Sequence, residues 1–149
     1  KIEKGVIGSS LILDNRKLGD DNIAELSNLE VLSEVISLDL GENNISDSGL
    51  HTLVNSPYIK NLKTLNLKSN NITEEGAKFI AESSKLKDLE HLILKFNRIG
   101  ETGANYLAQS ETLTNLRTLD LFRNRIGDAG VKVIKKSKNF RGVSRMRLD

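Results

Sequence analysis

The feature that most constrains this chain is a skeleton, LxxLxLxxNxI, that returns every 27 residues. In its last full copy it runs from Leu116 to Ile126, and its asparagine recurs at Asn43, Asn70, Asn97 and Asn124. The leucine columns keep the same step: Leu38, Leu65, Leu92 and Leu119 form one, and Leu40, Leu67, Leu94 and Leu121 the next. Recurrence at a fixed period means that one supersecondary unit is stacked on copies of itself, each burying its apolar face against its neighbours. A chain of 149 residues therefore has a row of small shared cores instead of one central core.

The order within each unit follows from its residue types. Alternating leucines predict strands near 36–40, 63–67, 90–94 and 117–121, with polar residues on the opposite face. After each asparagine come an aliphatic (Ile45, Ile72, Ile99, Ile126), a small residue (Ser46, Thr73, Gly100, Gly127) and an acid (Asp47, Glu74, Glu101, Asp128). That series reads as a helix start, with the hydroxyls as caps and the acids at the positive end of the helix dipole. Glycine follows two residues later (Gly49, Gly76, Gly103, Gly130), which implies close backbone approach, and aliphatics one and four positions on form the apolar helix face. Each helix runs out near a periodic serine (Ser56, Ser83, Ser110, Ser137).

The expected organisation is a single repeat domain over 1–149. A degenerate first repeat covers about 8–34, with Arg16 in the asparagine column and Asn22 in the glycine column. Regular repeats follow at about 35–61, 62–88, 89–115 and 116–142, and a partial sixth strand at 143–149. A strand without its helix leads us to expect a C-terminal continuation, or else an interaction covering that end.

At these residues the chain resembles the leucine-rich repeat family, and Asn97 to Ser110 looks like the ribonuclease-inhibitor-like subclass. The resemblance implies an α/β solenoid, a curved horseshoe segment with a parallel concave sheet and convex helices. It also implies that Asn43, Asn70, Asn97 and Asn124 form a buried structural ladder, in which amides satisfy inward-pointing backbone groups. A non-enzymatic scaffold binding a protein on its concave face is the implied function, and bacterial effectors acting in host cells are among such proteins. Regulators of a GTPase or ubiquitin ligase, and sensor fragments of larger innate immune receptors, are the alternative reading. No catalytic residue matches position by position.

Composition narrows the setting. There is no cysteine, which excludes disulfides and thiolate sites and fits a reducing, cytoplasmic compartment, the host cytosol if the chain is an effector. No apolar run approaches a membrane span, and Lys1 to Ser10 contains no apolar core of a signal peptide. Asn44-Ile45-Ser46 and Asn71-Ile72-Thr73 match the glycosylation pattern but fall where the repeat requires polar residues anyway. His51 and His91 lie in different layers, and no spacing suits a metal, so neither a metal nor a cofactor is expected.

Charge is distributed unevenly. Residues 1–75 carry 7 Lys/Arg against 12 Asp/Glu, whereas residues 76–149 carry 15 against 8. A partner with an acidic surface should therefore be drawn to the C-terminal half. There the variable strand columns gather Ile93, Lys95, Phe96, Asp120, Phe122, Arg123, Arg145 and Arg147, and aromatic and arginine side chains together are typical of interface hot spots. Phe96 and Phe122 also flank the asparagine turn, where packing between units is the plainer role. Lys132, Lys135, Lys136, Lys138 and Arg141 form a basic helix run without interleaved aromatics, so nucleic acid is not the expected partner, and a monomer is the expected state.

Overall fold

The computed structural model describes residues 8–149; residues 1–7, part of the segment inspected for a leader, lie outside the described residues. Among the described residues, six strands form one parallel sheet in chain order: β1 (Ser9–Ile12), β2 (Val35–Asp39), β3 (Thr64–Asn66), β4 (His91–Ile93), β5 (Thr118–Asp120) and β6 (Arg145–Arg147). Between them run five helices, α1 (Gly19–Ser27), α2 (Asp47–Val54), α3 (Glu74–Glu82), α4 (Gly100–Ala108) and α5 (Gly127–Lys136). Short 3-10 turns at Glu30–Glu34, Ser84–Leu86 and Lys138–Phe140 lead back towards the sheet.

Register follows the sequence period. Leu38, Leu65, Leu92, Leu119 and Met146 are successive partners across the sheet, as are Asp39, Asn66, Ile93, Asp120 and Arg147. The regular strands from β3 onward are three residues long, shorter than the five-residue spans expected. Pairing nevertheless continues into the flanking residues, as when the N–H of Leu67 donates to Ile93 O at 2.8 Å. Adjacent strands sit about 4.8 Å apart, while packed helices need about 8 to 10 Å. Stacking both layers in one series therefore bends the solenoid with its sheet on the inside.

The leucine columns are fully buried, together with Ile45, Ile72, Ile99 and Ile126 and the return anchors Ile59, Leu86, Leu113 and Phe140. Helix glycines make the close approach expected of them. A Cβ on Gly76 would stand 2.5 Å from both Asp47 Oδ1 and Ile72 Cγ2, so a larger residue would push the helix off its neighbour.

The asparagines form a continuous polar ladder. Asn97 Oδ1 accepts from the N–H of Asn70 at 3.2 Å and of Ile72 at 3.0 Å, and its Nδ2 donates to Leu67 O and Leu94 O, both at 2.9 Å. Asn43, Asn70 and Asn124 are buried in the same arrangement, and the N–H of Arg16 donates to Asn43 Oδ1 at 3.0 Å. In the last unit the Asp149 carboxylate accepts the N–H of Ile126, the counterpart of Ile72, and the N–H of Arg123, one residue before the ladder asparagine.

A second ladder lies at the other end of the helices. Ser56, Ser83, Ser110 and Ser137 donate their hydroxyls to Ser27 O, Val54 O, Ala81 O and Ala108 O in the preceding unit, at 2.6 to 2.7 Å. These serines cross-link units as well as ending helices.

One local expectation requires correction. The Ser46 hydroxyl does not cap its own helix. It donates to the carboxylate of Asp20 in the previous unit, which also accepts the Ser46 N–H at 2.9 Å. Thr73 makes the same pair of bonds to Asp47 and additionally accepts from the Glu75 N–H at 3.4 Å. Where glycine replaces the hydroxyl residue, at Gly100 and Gly127, the chain turns instead through positive φ and the helix has no side-chain cap.

Replacing Asn97 with leucine leaves several buried backbone groups unpaired, and urea denaturation should show a loss of at least about 3 kcal/mol. Ser83→Ala, which removes one donor to Val54 O, should cost about 1 to 2 kcal/mol in the same assay. Equal losses from the two would contradict this ordering of the ladders.

Candidate functional site

Each strand ends in a tight turn that swings the ladder asparagine inward. The residue before it takes a left-handed conformation in successive units: Glu42, Ser69, Phe96 and Arg123 have φ between 54° and 60°. Backbone bonds join neighbouring turns, with Ser69 N–H donating to Lys95 O and Phe96 N–H to Phe122 O, each at 2.9 Å. That bonding fixes where the variable side chains of adjacent units meet.

In the C-terminal half they meet as an aromatic and cationic cluster. Phe96 and Phe122 are edge to face with centroids 5.8 Å apart and planes at 79°. The guanidinium of Arg147 lies 4.5 Å from the Phe122 ring centroid and that of Arg123 lies 5.3 Å from it. Such contacts are worth about 0.5 to 1 kcal/mol each at exposed sites. Phe122 is half-buried beneath them, while Phe96 remains 48% exposed.

The other sequence-derived candidates are placed differently. Asp120 is only 8% exposed; its Oδ1 accepts the Phe122 N–H at 3.1 Å and its Oδ2 faces Arg147 at 3.8 Å. Asp39 and Asn66 hold the same turn in their own units by accepting from Gly41 and Lys68, both at 3.0 Å. This is the local bonding to which short polar side chains are suited. Ile93 occupies the equivalent position without that bond. Among the described residues, Ile93, Lys95 and Arg145 join neither the ring contacts nor an ion pair; the first two are half-buried and Arg145 is exposed.

Two residues absent from the strand-column reading border the cluster. Arg98 and Arg125, each one position after a ladder asparagine, line the same groove as Phe96, Phe122, Arg123 and Asp149. Their column reads Lys17, Asn44, Asn71, Arg98, Arg125, so a switch from amide to guanidinium was present in the sequence. The column lies beyond the strand, so strand alternation does not reveal it.

A family model described as Leucine Rich repeat matches residues 35–54, 58–81, 85–108 and 112–135. The chain belongs to the leucine-rich repeat family. Such repeats are a scaffold typical of protein–protein interaction. Among solved structures, the leucine-rich repeat chain is similar to an internalin from Listeria monocytogenes, with 22% identity and a TM-score of 0.45. That match covers 80% of this chain and 36% of the internalin, so the chain spans about a third of that protein's length. No curated protein matches the sequence. No helix among the described residues is long and apolar enough to cross a membrane.

A bulky residue in the left-handed region costs about 1 to 3 kcal/mol, and the exposed ring of Phe96 recovers little of that by burial. Asparagine tolerates this conformation. Phe96→Asn should therefore leave unfolding free energy within about 1 kcal/mol of the parent, relief of strain offsetting the lost ring contact. A loss above about 3 kcal/mol in urea denaturation would show instead that Phe96 is a packing residue.

Proposed function

We propose that this chain is a non-enzymatic recognition module that binds a protein with an acidic surface through the concave side of its C-terminal half. The observation that carries the reading is the Phe122 ring in contact with the guanidinium groups of Arg123 and Arg147 and edge to face with Phe96. Aromatic and arginine side chains together supply rigid area and paired donors, and they dominate binding energy where interfaces have been dissected. Ile93, Lys95, Asp120 and Arg145 extend the surface along the strand columns, Asp120 by holding the turn under Phe122.

The excess of 15 Lys/Arg over 8 Asp/Glu in residues 76–149 supports an acidic partner, because a one-sign surface accelerates encounter with the opposite sign. Helices of eight to ten residues behind the sheet support placement in the ribonuclease-inhibitor-like subclass. We read the described strands and helices as one repeat domain, with a first unit over about 8–34, regular units at about 35–61, 62–88, 89–115 and 116–142, and a strand at 143–149. Regular repeats without cysteine support a cytoplasmic module, the host cytosol in the case of a bacterial effector, working as a monomer without cofactor.

Affinity capture from cytosolic lysate at low and moderate salt, comparing the parent with Phe122→Ala/Arg147→Ala of verified fold, tests this reading. A protein retained by the parent, weakened by salt and lost by at least about tenfold in the variant is the expected result. Retention insensitive to both salt and the substitutions would overturn it.

A further inference from the structure

The rim where strands turn into helices changes character midway along the stack. In the second and third units it is closed on itself. Asn71 Nδ2 donates to Asn44 Oδ1 at 2.5 Å, and Ser46 and Thr73 are held by Asp20 and Asp47, while backbone bridges join Ser46 to Asn71 and continue from Thr73 to Arg98. In the next two units the same positions carry Arg98 and Arg125, and Gly100 and Gly127 replace the hydroxyl residues. Glycine offers the preceding helix's acid no hydroxyl, so that side-chain closure is gone.

Arg98 and Arg125 are exposed, and among the described residues neither has an ion-pair partner. They occupy equivalent positions in neighbouring units, and Arg123 adds a third guanidinium to the same groove. The nearby acids are engaged: Asp149 accepts backbone N–H groups from Arg123 and Ile126, and Asp120 is buried facing Arg147. Three guanidinium groups against the one carboxylate of Asp149 leave the groove net positive, and it holds one exposed aromatic ring, Phe96.

We propose that this rim groove binds an acidic peptide segment carrying an aromatic residue. The segment's carboxylates pair with Arg98, Arg123 and Arg125 and its ring lies against Phe96. The inference rests on the recognition reading and narrows it, placing the primary contact on the rim instead of the sheet floor. Planar guanidinium groups match carboxylates in paired bonds. Single-stranded nucleic acid needs a series of open stacking platforms along a basic track. Here the groove spans two units, and Phe122 already has both guanidinium groups over it, so one platform remains.

Fluorescence anisotropy with a labelled glutamate–tyrosine copolymer, polyglutamate and oligothymidylate tests the proposal on the whole chain. The copolymer should bind about tenfold more tightly than polyglutamate. Arg98→Ala/Arg125→Ala should weaken both acidic probes by about tenfold or more, and Phe96→Asn should remove only the preference for the copolymer. Both arginines are exposed, and circular dichroism verifies the fold of the variants. Undiminished binding by the double variant, tighter binding of oligothymidylate, or no binding of any probe would overturn the proposal. A loss seen only in Lys95→Ala/Arg145→Ala would overturn the rim assignment while leaving recognition by the sheet floor standing, as would an acidic protein partner captured equally by the parent and Arg98→Ala/Arg125→Ala.

Discussion

A buried amide that must bond to two units at once is the constraint on which the rest of the solenoid depends. Asn70 accepts from Asn43 and Ile45 in the unit before it and donates to Leu40 O there and to Leu67 O in its own unit. These bonds exist only if consecutive units are in one register, so the spacing of 27 is a hydrogen-bonding requirement as well as a packing one. The serine ladder pins the other end of each unit through Ser56, Ser83, Ser110 and Ser137. Between two pinned ends the leucine columns have one way to interdigitate. Stability is then carried by neighbour-to-neighbour interfaces, and any site spanning two units inherits their geometry.

Much of this was legible from periodicity. The strand columns, the ladder asparagines and the close approach at the helix glycines each repeat, and a repeated position has one environment in every unit. Less legible was which of two bonding roles a repeated residue plays. Ser46 looks like a helix cap because hydroxyls commonly are, yet its hydroxyl is drawn to Asp20 across the unit boundary. The pairing was written in the residue types: Asp20 and Asp47 precede Ser46 and Thr73, while the longer Glu74 and Glu101 precede Gly100 and Gly127. The acid and the hydroxyl it holds lie in different columns of different units, 26 residues apart, so periodicity within a column carries no sign of the bond.

The candidate surface was legible in part for a related reason. Alternation along a strand tells which side chains leave the sheet face, and so found Phe122 and Arg147. It says nothing about the turn, where left-handed residues redirect side chains towards the rim. Asp120 stands in a strand column yet is buried by its bond to the Phe122 N–H, and Arg98 and Arg125 stand outside the columns yet border the groove. Local backbone geometry, not hydrophobic pattern, decided all three.

Phe96 separates what the fold requires from what it permits. The fold imposes positive φ before each ladder asparagine, and it meets that demand with Glu42, Ser69 and Arg123 in other units. Nothing in the ladder, the core or the register needs an aromatic ring there, and half of the ring's surface is left in water. A bulky residue held in a sparsely populated conformation, exposed and unpaid by burial, points away from stability as the reason for its presence. The same holds for guanidinium groups placed side by side on a rim that amides and hydroxyls close elsewhere. Both departures fall in the same two units, in the half of the chain with 15 Lys/Arg against 8 Asp/Glu, and that coincidence is what supports the proposal of recognition at this end of the solenoid.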